Sequence, residues 1–231
     1  MRICHLISSI DKGGAETHLY SLIKEQKRLN HEVIVVYLKG NNYWRSFFQK
    51  IDVKTYKVDF EYSKNPYFFF KVLFKINKIV KFFKPQILHS HLTAMELFGF
   101  LIKTFLFKDV KFIITKHLDS YFFEGSFGKR KFFKGVLIEK FILNRAEKDI
   151  CISNQVKKYF SKILKKDSSK LVVIYYGFSL QSFKFSKNYP QKIHDFKTKY
   201  KIKKKDFLIC NIARHVKQKS LDLLLLSFSL Y

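Results

Sequence analysis

The sequence has no long apolar run, few acidic residues and few cysteines, and each shortage excludes a class of protein. No stretch approaches the roughly 18 apolar residues that a helix needs to span a bilayer. The N-terminal segment MRICHLISSIDKGG has too short an apolar part for a signal peptide and is typical of a first β-strand. We therefore expect a cytoplasmic protein.

The three cysteines, Cys4, Cys151 and Cys210, lie far apart, and each falls in an apolar, strand-like run. No Cys-X-X-Cys motif occurs, and no histidine is spaced to complete a zinc site with them. This pattern excludes the disulfide framework of a small secreted domain. We expect buried, reduced thiols in all three positions.

Acidic residues are scarce: 18 Asp and Glu stand against 45 Lys and Arg, and the formal net charge is +27. Such a charge indicates nucleic acid, an anionic membrane or a phosphorylated substrate as a partner. Only six of the basic residues are arginines, and the Lys-, Phe-, Ile-, Tyr- and Asn-rich composition also fits a drift toward AT-rich codons. Nucleic-acid binding is disfavoured, because the lysines are scattered and no helix-turn-helix or RNA-binding aromatic motif occurs.

Apolar strand-like runs alternate with amphipathic helical runs up to residue 177. The predicted strands are 2–8, 32–38, 53–59, 86–91, 110–117, 148–153 and 171–177. The predicted helices are 15–29, 66–83, 93–107, 131–145 and 154–165, with Asn30 as a left-handed cap. Continuous apolar strands between helices indicate an α/β fold, a doubly wound parallel sheet of Rossmann-like type.

The alternation breaks after Gly177, which suggests a domain boundary. We predict a first Rossmann-like domain over 1–182 and a linker with a short helix, about 191–200, within 183–205. Residues 206–231 are interpreted as an apolar strand, a basic loop with Arg214, Lys217 and Lys219, and a leucine-rich helix. They would be the opening β-loop-α of a second, incomplete domain.

Ligands of a doubly wound sheet bind at the carboxyl ends of its strands, so the candidate residues lie in the loops there. Gly13 and Gly14 follow the first strand and would let the backbone approach an anion at a helix start, although a tight turn explains them equally well. They lack the G-X-G-X-X-G spacing of NAD-binding sites. His89 and His91 alternate on one strand and face the same side, and His117 ends another strand.

Seven short motifs occur in order along the chain. They are GGAE, NHEVIVV, ILHSH, ITKH, CISNQVKKYF, VVIYYGFSLQSF and NIARHVKQKSLDLLLLSF. Together they make the chain resemble the family 4 glycosyltransferases, whose two Rossmann-like domains form the GT-B architecture. The resemblance implies an N-terminal acceptor-side domain and the start of a donor domain.

The resemblance implies retaining, metal-independent transfer of a sugar from a nucleoside-diphosphate donor, without a cofactor. The acceptor would be a glycan or a lipid-linked molecule of bacterial surface polysaccharide or lipopolysaccharide assembly. Without a metal, cations must neutralise the departing diphosphate, and Arg214 and Lys219 are implied for this role. Gly13 and Gly14 would bring backbone amides to the same diphosphate, and His117 matches the family histidine beside the transferred sugar.

The remaining candidates, Glu16, His89 and His91, are expected on the acceptor side of the cleft. Glu16 could equally favour the helix dipole from the first turn. No metal site is expected, since no third or fourth ligand is spaced near the histidine pair. Nor does the chain contain the Asp-X-Asp pair of metal-dependent glycosyltransferases.

The sequence also departs from the family. Ser220 stands where the family usually has glycine, Tyr176 where it commonly has asparagine, and Ser179 where an aspartate often follows. The later pair of glutamates in the donor site would lie beyond Tyr231. We therefore expect residues 1–231 alone to be inactive in transfer. The alternative is a non-catalytic acceptor-binding or partner-dependent Rossmann module.

The predicted helix 66–83 is amphipathic, with four lysines, Lys71, Lys75, Lys78 and Lys81, mainly on its polar face. A basic amphipathic helix suits an anionic membrane surface, and peripheral association with the inner face of the plasma membrane is one expectation. A solvated lysine face on an ordinary Rossmann helix is the other.

Overall fold

The computed structural model describes residues 1–59, 66–118, 129–164, 168–177, 189–213, 215–216 and 219–229. The chain divides into two compact units, Met1–Phe178 and Ser179–Tyr231. Arg214, one of the two predicted diphosphate cations, lies outside the described residues, and so do Lys217 and Ser179.

The first unit is built on a seven-stranded sheet. Its strands are β1 (Arg2–Ser9), β2 (Glu32–Lys39), β3 (Lys54–Lys57), β4 (Ile87–His91), β5 (Lys111–Lys116), β6 (Lys148–Cys151) and β7 (Leu171–Val173). They lie in the order β3-β2-β1-β4-β5-β6-β7, and every neighbouring pair is parallel. The predicted α/β fold with a doubly wound parallel sheet is confirmed.

Helices connect the strands. They are α1 (Gly14–Arg28), α2 (Arg45–Lys50), α3 (Pro66–Phe83), α4 (Thr93–Leu101), α5 (Lys129–Arg145) and α6 (Asn154–Leu164). A π-helical turn at Ile102–Leu106 extends α4, and a 3₁₀ turn at Ser168–Lys170 precedes β7. The helix α2 was not predicted, because six residues are too few to show a helical period.

The predicted cap of α1 is confirmed. Asn30 follows the helix with a φ of 59°, in the left-handed region. Its N–H donates to the carbonyl of Lys27 at 2.9 Å, and the N–H of His31 donates to the carbonyl of Gln26 at 3.0 Å. This pair of bonds is the Schellman arrangement, which satisfies carbonyls that the end of a helix would leave unpaired.

The sheet separates two apolar clusters, because alternate side chains of a strand point to opposite faces. Ile3 and Ile7 of β1 belong to the cluster with α1 and α2, whereas Cys4 and Leu6 belong to the cluster with α3, α4, α5 and α6. Right-handed crossovers produce this division when the direction of strand addition reverses after β3. The reversal places a topological switch point between β1 and β4, where sheets of this type bind ligands.

The predicted apolar face of α3 is confirmed, with Val72, Leu73, Ile76 and Val80 buried against the sheet. Its outer face combines lysines with exposed aromatic side chains, which the sequence analysis did not separate from the core. No helix among the described residues is long and apolar enough to cross a membrane.

The second unit contains α7 (Tyr189–Lys199) and α8 (Leu221–Ser229), which match the two helices predicted there. The strand predicted from Asp206 was wrong: residues 206–213 are irregular. A strand needs a neighbour for its backbone hydrogen bonds, and the described part of this unit offers none. Cys210, expected in that strand, is consequently exposed, whereas Cys4 and Cys151 are buried free thiols as predicted.

Candidate functional site

A pocket of about 490 Å³ lies where the loop after β1 meets the start of α1. Its lining comprises Lys12, Gly13, Gly14, Thr17, His18, Ser21, Tyr43, Trp44, Tyr176 and Gly177. These residues come from that loop and helix, the segment leading into α2, and the segment after β7. The pocket therefore contains the predicted Gly13 and Gly14, at the carboxyl edge of the sheet where ligands are expected.

Gly13 and Gly14, the two glycines that follow β1, have different neighbours. A Cβ on Gly13 would lie 2.2 Å from Oε2 of Glu16, whose carboxylate accepts a hydrogen bond from Ser9 Oγ at 2.8 Å. A Cβ on Gly14 would meet nothing within 4 Å. A side chain at position 13 would therefore push the Glu16 carboxylate away from its place beside Ser9, whereas the fold supplies no reason for glycine at position 14.

The start of α1 is available to an anion. Gly13 caps the helix without a side-chain hydrogen bond, so no side chain of the cap satisfies the first-turn N–H groups. Glu16 is turned toward Ser9 and lies at the edge of this site. Its predicted place on the acceptor side of the cleft stays a prediction.

His89 and His91 face the same side of β4, as predicted, with ring centroids 4.2 Å apart. Both rings are buried, and neither lines the pocket. A third histidine, His5, packs against them from β1. His5 was not among the predicted site residues, because it lies inside an apolar strand. The available signal was the alternation of side chains along β1, which places His5 on the same face of the sheet as its register partner His89.

Hydrogen bonds join this buried cluster to the pocket. His5 Nδ1 lies 3.0 Å from His91 Nε2, and His91 Nδ1 lies 3.1 Å from His117 Nε2. His117 Nδ1 contacts the hydroxyl of Tyr176. His117 itself is only 8% exposed, whereas Tyr176 lines the pocket and stacks on His18 with ring centroids 4.2 Å apart. The predicted catalytic histidine is thus not part of the pocket lining, and it contacts one lining residue, Tyr176.

The histidines of this cluster are neutral at neutral pH. Burial lowers the pKa of His5 to about 4 and the pKa of His117 to about 3. Burial and the neighbouring imidazoles hold the pKa values of His89 and His91 well below their usual range. Burial also raises the pKa of Tyr176 to about 12, so its hydroxyl keeps its proton.

One nitrogen from each of His5, His89 and His91 lies within 4.8 Å of the others, a spacing that a metal ion could use. Zinc at about 2.0–2.1 Å from two nitrogens in a tetrahedron would hold them roughly 3.3 Å apart. The 3.0 Å between His5 Nδ1 and His91 Nε2 is a hydrogen-bond distance, and His89 Nε2 is engaged by Thr115 Oγ1 at 2.7 Å. These donors fit hydrogen bonding better than coordination.

A second polar cluster, which the sequence analysis did not predict, surrounds Lys116. Its ammonium forms ion pairs with Glu96 of α4 and Glu139 of α5 and lies 4.7 Å from the ring centroid of Phe160. Burial would lower the pKa of Lys116, but the two carboxylates outweigh burial and raise it. Burial raises the pKa of the nearby Asp149 to about 8. A lysine at the end of the apolar strand KFIITK was the only signal in the sequence.

Two non-glycine residues near candidate positions have strained backbones. Leu92, directly after His91, has a φ of 68° and a ψ of 145° where α4 begins. In the second unit, Ser220 has a φ of 46°. Glycine adopts such conformations most easily, which gives a backbone reason for the glycine that the resemblance implies at position 220. The adjacent Lys219 is exposed and donates its N–H to the carbonyl of Val216.

Comparisons with known proteins agree with the fold. The profile of the Glycosyltransferase Family 4 matches residues 12–182. HepE of Anabaena, solved in complex with UDP, is similar with a TM-score of 0.74 and 15% identity, over 99% of this chain and 57% of that chain. The same protein has also been solved with UDP-glucose. The chain thus spans little more than half the length of this neighbour.

Two further structures are similar. A glycosyltransferase from Rickettsia africae aligns with a TM-score of 0.64 and 22% identity, over 88% of this chain and 50% of that chain. The UDP-GlcNAc 2-epimerase of Methanocaldococcus jannaschii aligns with a TM-score of 0.55 and 15% identity, over 75% of this chain and 45% of that chain. No curated protein sequence matches significantly.

Proposed function

Because this chain belongs to glycosyltransferase family 4, we propose that it takes part in transfer of a sugar from a nucleoside-diphosphate donor to a glycan or lipid-linked acceptor. The transfer retains the anomeric configuration and needs no metal. UDP-sugars are the first donors to test, since HepE was solved with UDP and UDP-glucose. The pathway is assembly of a bacterial surface polysaccharide or lipopolysaccharide.

The observation that carries this proposal is Gly14 in the pocket at the uncapped start of α1. A helix start with unpaired N–H groups attracts phosphate through hydrogen bonds and the helix dipole. The space around Gly14 is open, so a diphosphate has room beside the backbone. Lys219 and Arg214 remain the proposed cations from the second unit, where they would balance charge that develops on the leaving diphosphate.

Binding of UDP and UDP-glucose to the 231-residue chain, measured by calorimetry, tests the donor part. Gly14→Val adds a side chain where a Cβ meets nothing within 4 Å, and we expect a roughly tenfold rise in Kd. Ala94→Val, which places a valine in the exposed first turn of α4, is the control. Equal affinity in Gly14→Val and the parent protein would contradict diphosphate binding at Gly14.

We propose that the outer face of α3 holds the protein on an anionic membrane. Phe70, Phe74 and Phe82 are exposed there, with Phe74 at 61%, and exposed Lys71 and Lys75 lie among them. Aromatic side chains enter the lipid interface, and lysines attract anionic headgroups. Several exposed phenylalanines together form an apolar patch of the kind that marks a contact with a membrane or a protein.

Vesicle co-sedimentation tests the membrane proposal. We expect binding to vesicles with phosphatidylglycerol, little binding to phosphatidylcholine alone, and loss of binding in Phe70→Ser/Phe74→Ser. Equal binding to both vesicle types would rule out the electrostatic part. Phe105→Ser, another exposed phenylalanine outside α3, is the control.

The alternative is a non-catalytic module that binds an acceptor or a partner domain. Product analysis distinguishes this module from a glycosyltransferase. Incubation with a UDP-sugar and a lipid-linked acceptor yields a glycoside only if the protein transfers sugar. An α-anomeric product from an α-linked donor supports retention, and a β-anomeric product contradicts it. Acceptor binding without any glycoside product would favour the module.

A further inference from the structure

Four hydrogen bonds run in series from the side of α1 to the pocket. Gln26 Oε1 lies 2.9 Å from His5 Nε2, and His5 Nδ1 lies 3.0 Å from His91 Nε2. His91 Nδ1 lies 3.1 Å from His117 Nε2, and His117 Nδ1 contacts the hydroxyl of Tyr176. Every ring nitrogen of the three imidazoles is used once, and Tyr176 is the end of the series that faces the pocket.

Counting protons sets the direction of the series. A neutral imidazole carries one N–H and one acceptor nitrogen. His5 donates its Nε2–H to the oxygen of Gln26, so its Nδ1 accepts a hydrogen bond from His91. His91 has then used its only proton, and its Nδ1 accepts from His117. The remaining nitrogen of His117 can only accept, and therefore the hydroxyl of Tyr176 donates to it.

The surroundings of Tyr176 hold its ring in place. The ring stacks on His18, at an angle of 20° and a centroid distance of 4.2 Å. The side chain is 36% exposed, toward a pocket that also contains Thr17 and Ser21. With its proton turned inward, the hydroxyl oxygen keeps lone pairs that face outward, and it can accept a hydrogen bond from a ligand.

We propose that the Tyr176 oxygen, held by the series His117–His91–His5, accepts a hydrogen bond from a sugar hydroxyl in the pocket, and that His117 is a positioning residue behind it. The inference rests on the proposed function, because the ligand is taken to be a sugar. It differs from the implied role of His117, which would place the imidazole itself against the transferred sugar. Tyr176 stands where the family commonly has asparagine, so this contact would distinguish the chain from such members.

The series can be tested without any ligand. Long-range ¹H–¹⁵N correlation spectra of the ¹⁵N-labelled 231-residue chain at pH 7.5 distinguish the two tautomers of each histidine. We expect His5, His91 and His117 all to carry their proton on Nε2. Tyr176→Phe should shift the Nδ1 resonance of His117 to that of an unbonded acceptor and leave the tautomers unchanged. A proton on Nδ1 of any of the three, or a charged imidazole, would overturn the series.

The contact with sugar is tested by calorimetry with UDP-glucose as the probe. Tyr176→Phe removes the hydroxyl and keeps the stacked ring, and we expect a roughly three- to tenfold rise in Kd. Tyr56→Phe is the control, since it removes a tyrosine hydroxyl from β3, and Tyr56 does not line the pocket. Unchanged affinity in Tyr176→Phe would overturn the contact.

A double-mutant cycle separates positioning from direct contact. If His117 acts only through Tyr176, His117→Asn should weaken binding in the parent and change nothing further in Tyr176→Phe. A further loss in the double variant would place His117 against the ligand and overturn its positioning role. If the parent binds UDP but gains nothing from the glucose, the sugar contact fails while diphosphate binding stands. If it binds neither, the diphosphate site at Gly14 and the sugar contact both fail, and the spectra still decide the series.

Discussion

The two buried polar clusters contain the consecutive residues Lys116 and His117, and they accommodate buried polar groups in different ways. Lys116 ends β5 and points to one face of the sheet, where carboxylates surround it. His117 follows and joins the imidazole series on the other face. The series is neutral, and its ring nitrogens are paired, whereas the ionic cluster leaves Glu139 Oε2 and both oxygens of Asp149 without a hydrogen bond among the described residues.

The difference shows what each cluster is suited to. A buried neutral network with all its bonds made is rigid and orients its terminal group. A buried ion pair costs desolvation energy that its attraction only partly returns, and an extra carboxyl beside it must take up a proton. We therefore expect the imidazole series to hold its terminal tyrosine in one orientation, and the ionic cluster to lose stability when its cation is removed.

The largest effect is expected from Lys116→Met. The variant leaves Glu96 and Glu139 buried without a cation, and the free energy of unfolding should fall by about 3–5 kcal/mol at pH 7. Denaturant unfolding measures it, with Lys111→Met, an exposed lysine of the same strand, as the control. A loss below about 1 kcal/mol would show that the cluster is not held together by its charges.

The clusters should respond to pH with opposite signs. The folded pKa of His5 is about 4, below its unfolded value near 6.5, so the unfolded chain binds more protons between these values. The contribution of His5 to the free energy of unfolding is therefore complete above pH 6.5. It falls by roughly 3 kcal/mol as pH falls toward 4. The slope of unfolding free energy against pH should flatten in His5→Gln and stay unchanged in His194→Gln, a variant of an exposed histidine in α7.

Asp149→Asn should stabilise the protein at high pH. Burial raises the folded pKa of Asp149 to about 8, so the folded state holds a proton that the unfolded chain releases above pH 4. Stability from this group falls as pH rises toward 8, and the neutral amide avoids the loss. We expect a gain of roughly 1–3 kcal/mol at pH 8 and a smaller gain at pH 5. A gain independent of pH would contradict a protonated Asp149.

The smallest effect is expected at the far end of the series. Gln26→Leu removes the acceptor of His5 Nε2–H, and unfolding free energy should fall by about 1 kcal/mol, because Gln26 is only half-buried. Gln26→Glu keeps an acceptor and should restore the Nε2–H tautomer of His5 in ¹⁵N spectra. Loss of that tautomer in Gln26→Glu would contradict the assigned direction.

Much of the fold was readable from the sequence because hydrophobic periodicity is a local property. Seven strands and five helices of the first unit were predicted, and the cap at Asn30 was recognised from its residue type. The strand from Asp206 failed for the opposite reason: its apolar residues satisfy the local pattern, but a strand forms only beside another strand. Cys210 was misjudged with it.

The candidate site was only partly readable. The loop after β1 was found because glycines at a helix start are a local signal, and His117 because it ends a strand. His5, His18 and Lys116 were missed, since their partners lie on other strands and helices. Tyr176 was noticed only as a departure from the family, and nothing in its neighbourhood in sequence shows that it reaches His117.

The sequence by itself determined the parallel sheet, the family and the glycines after β1, because these depend on period and on short motifs. Only the tertiary structure decided which buried polar groups meet. Register across β1, β4 and β5 brings three histidines from separate segments into one hydrogen-bonded series. The alternation of side chains along β5 then places Lys116 and His117 on opposite faces of the sheet, so that these neighbours in sequence belong to different polar clusters.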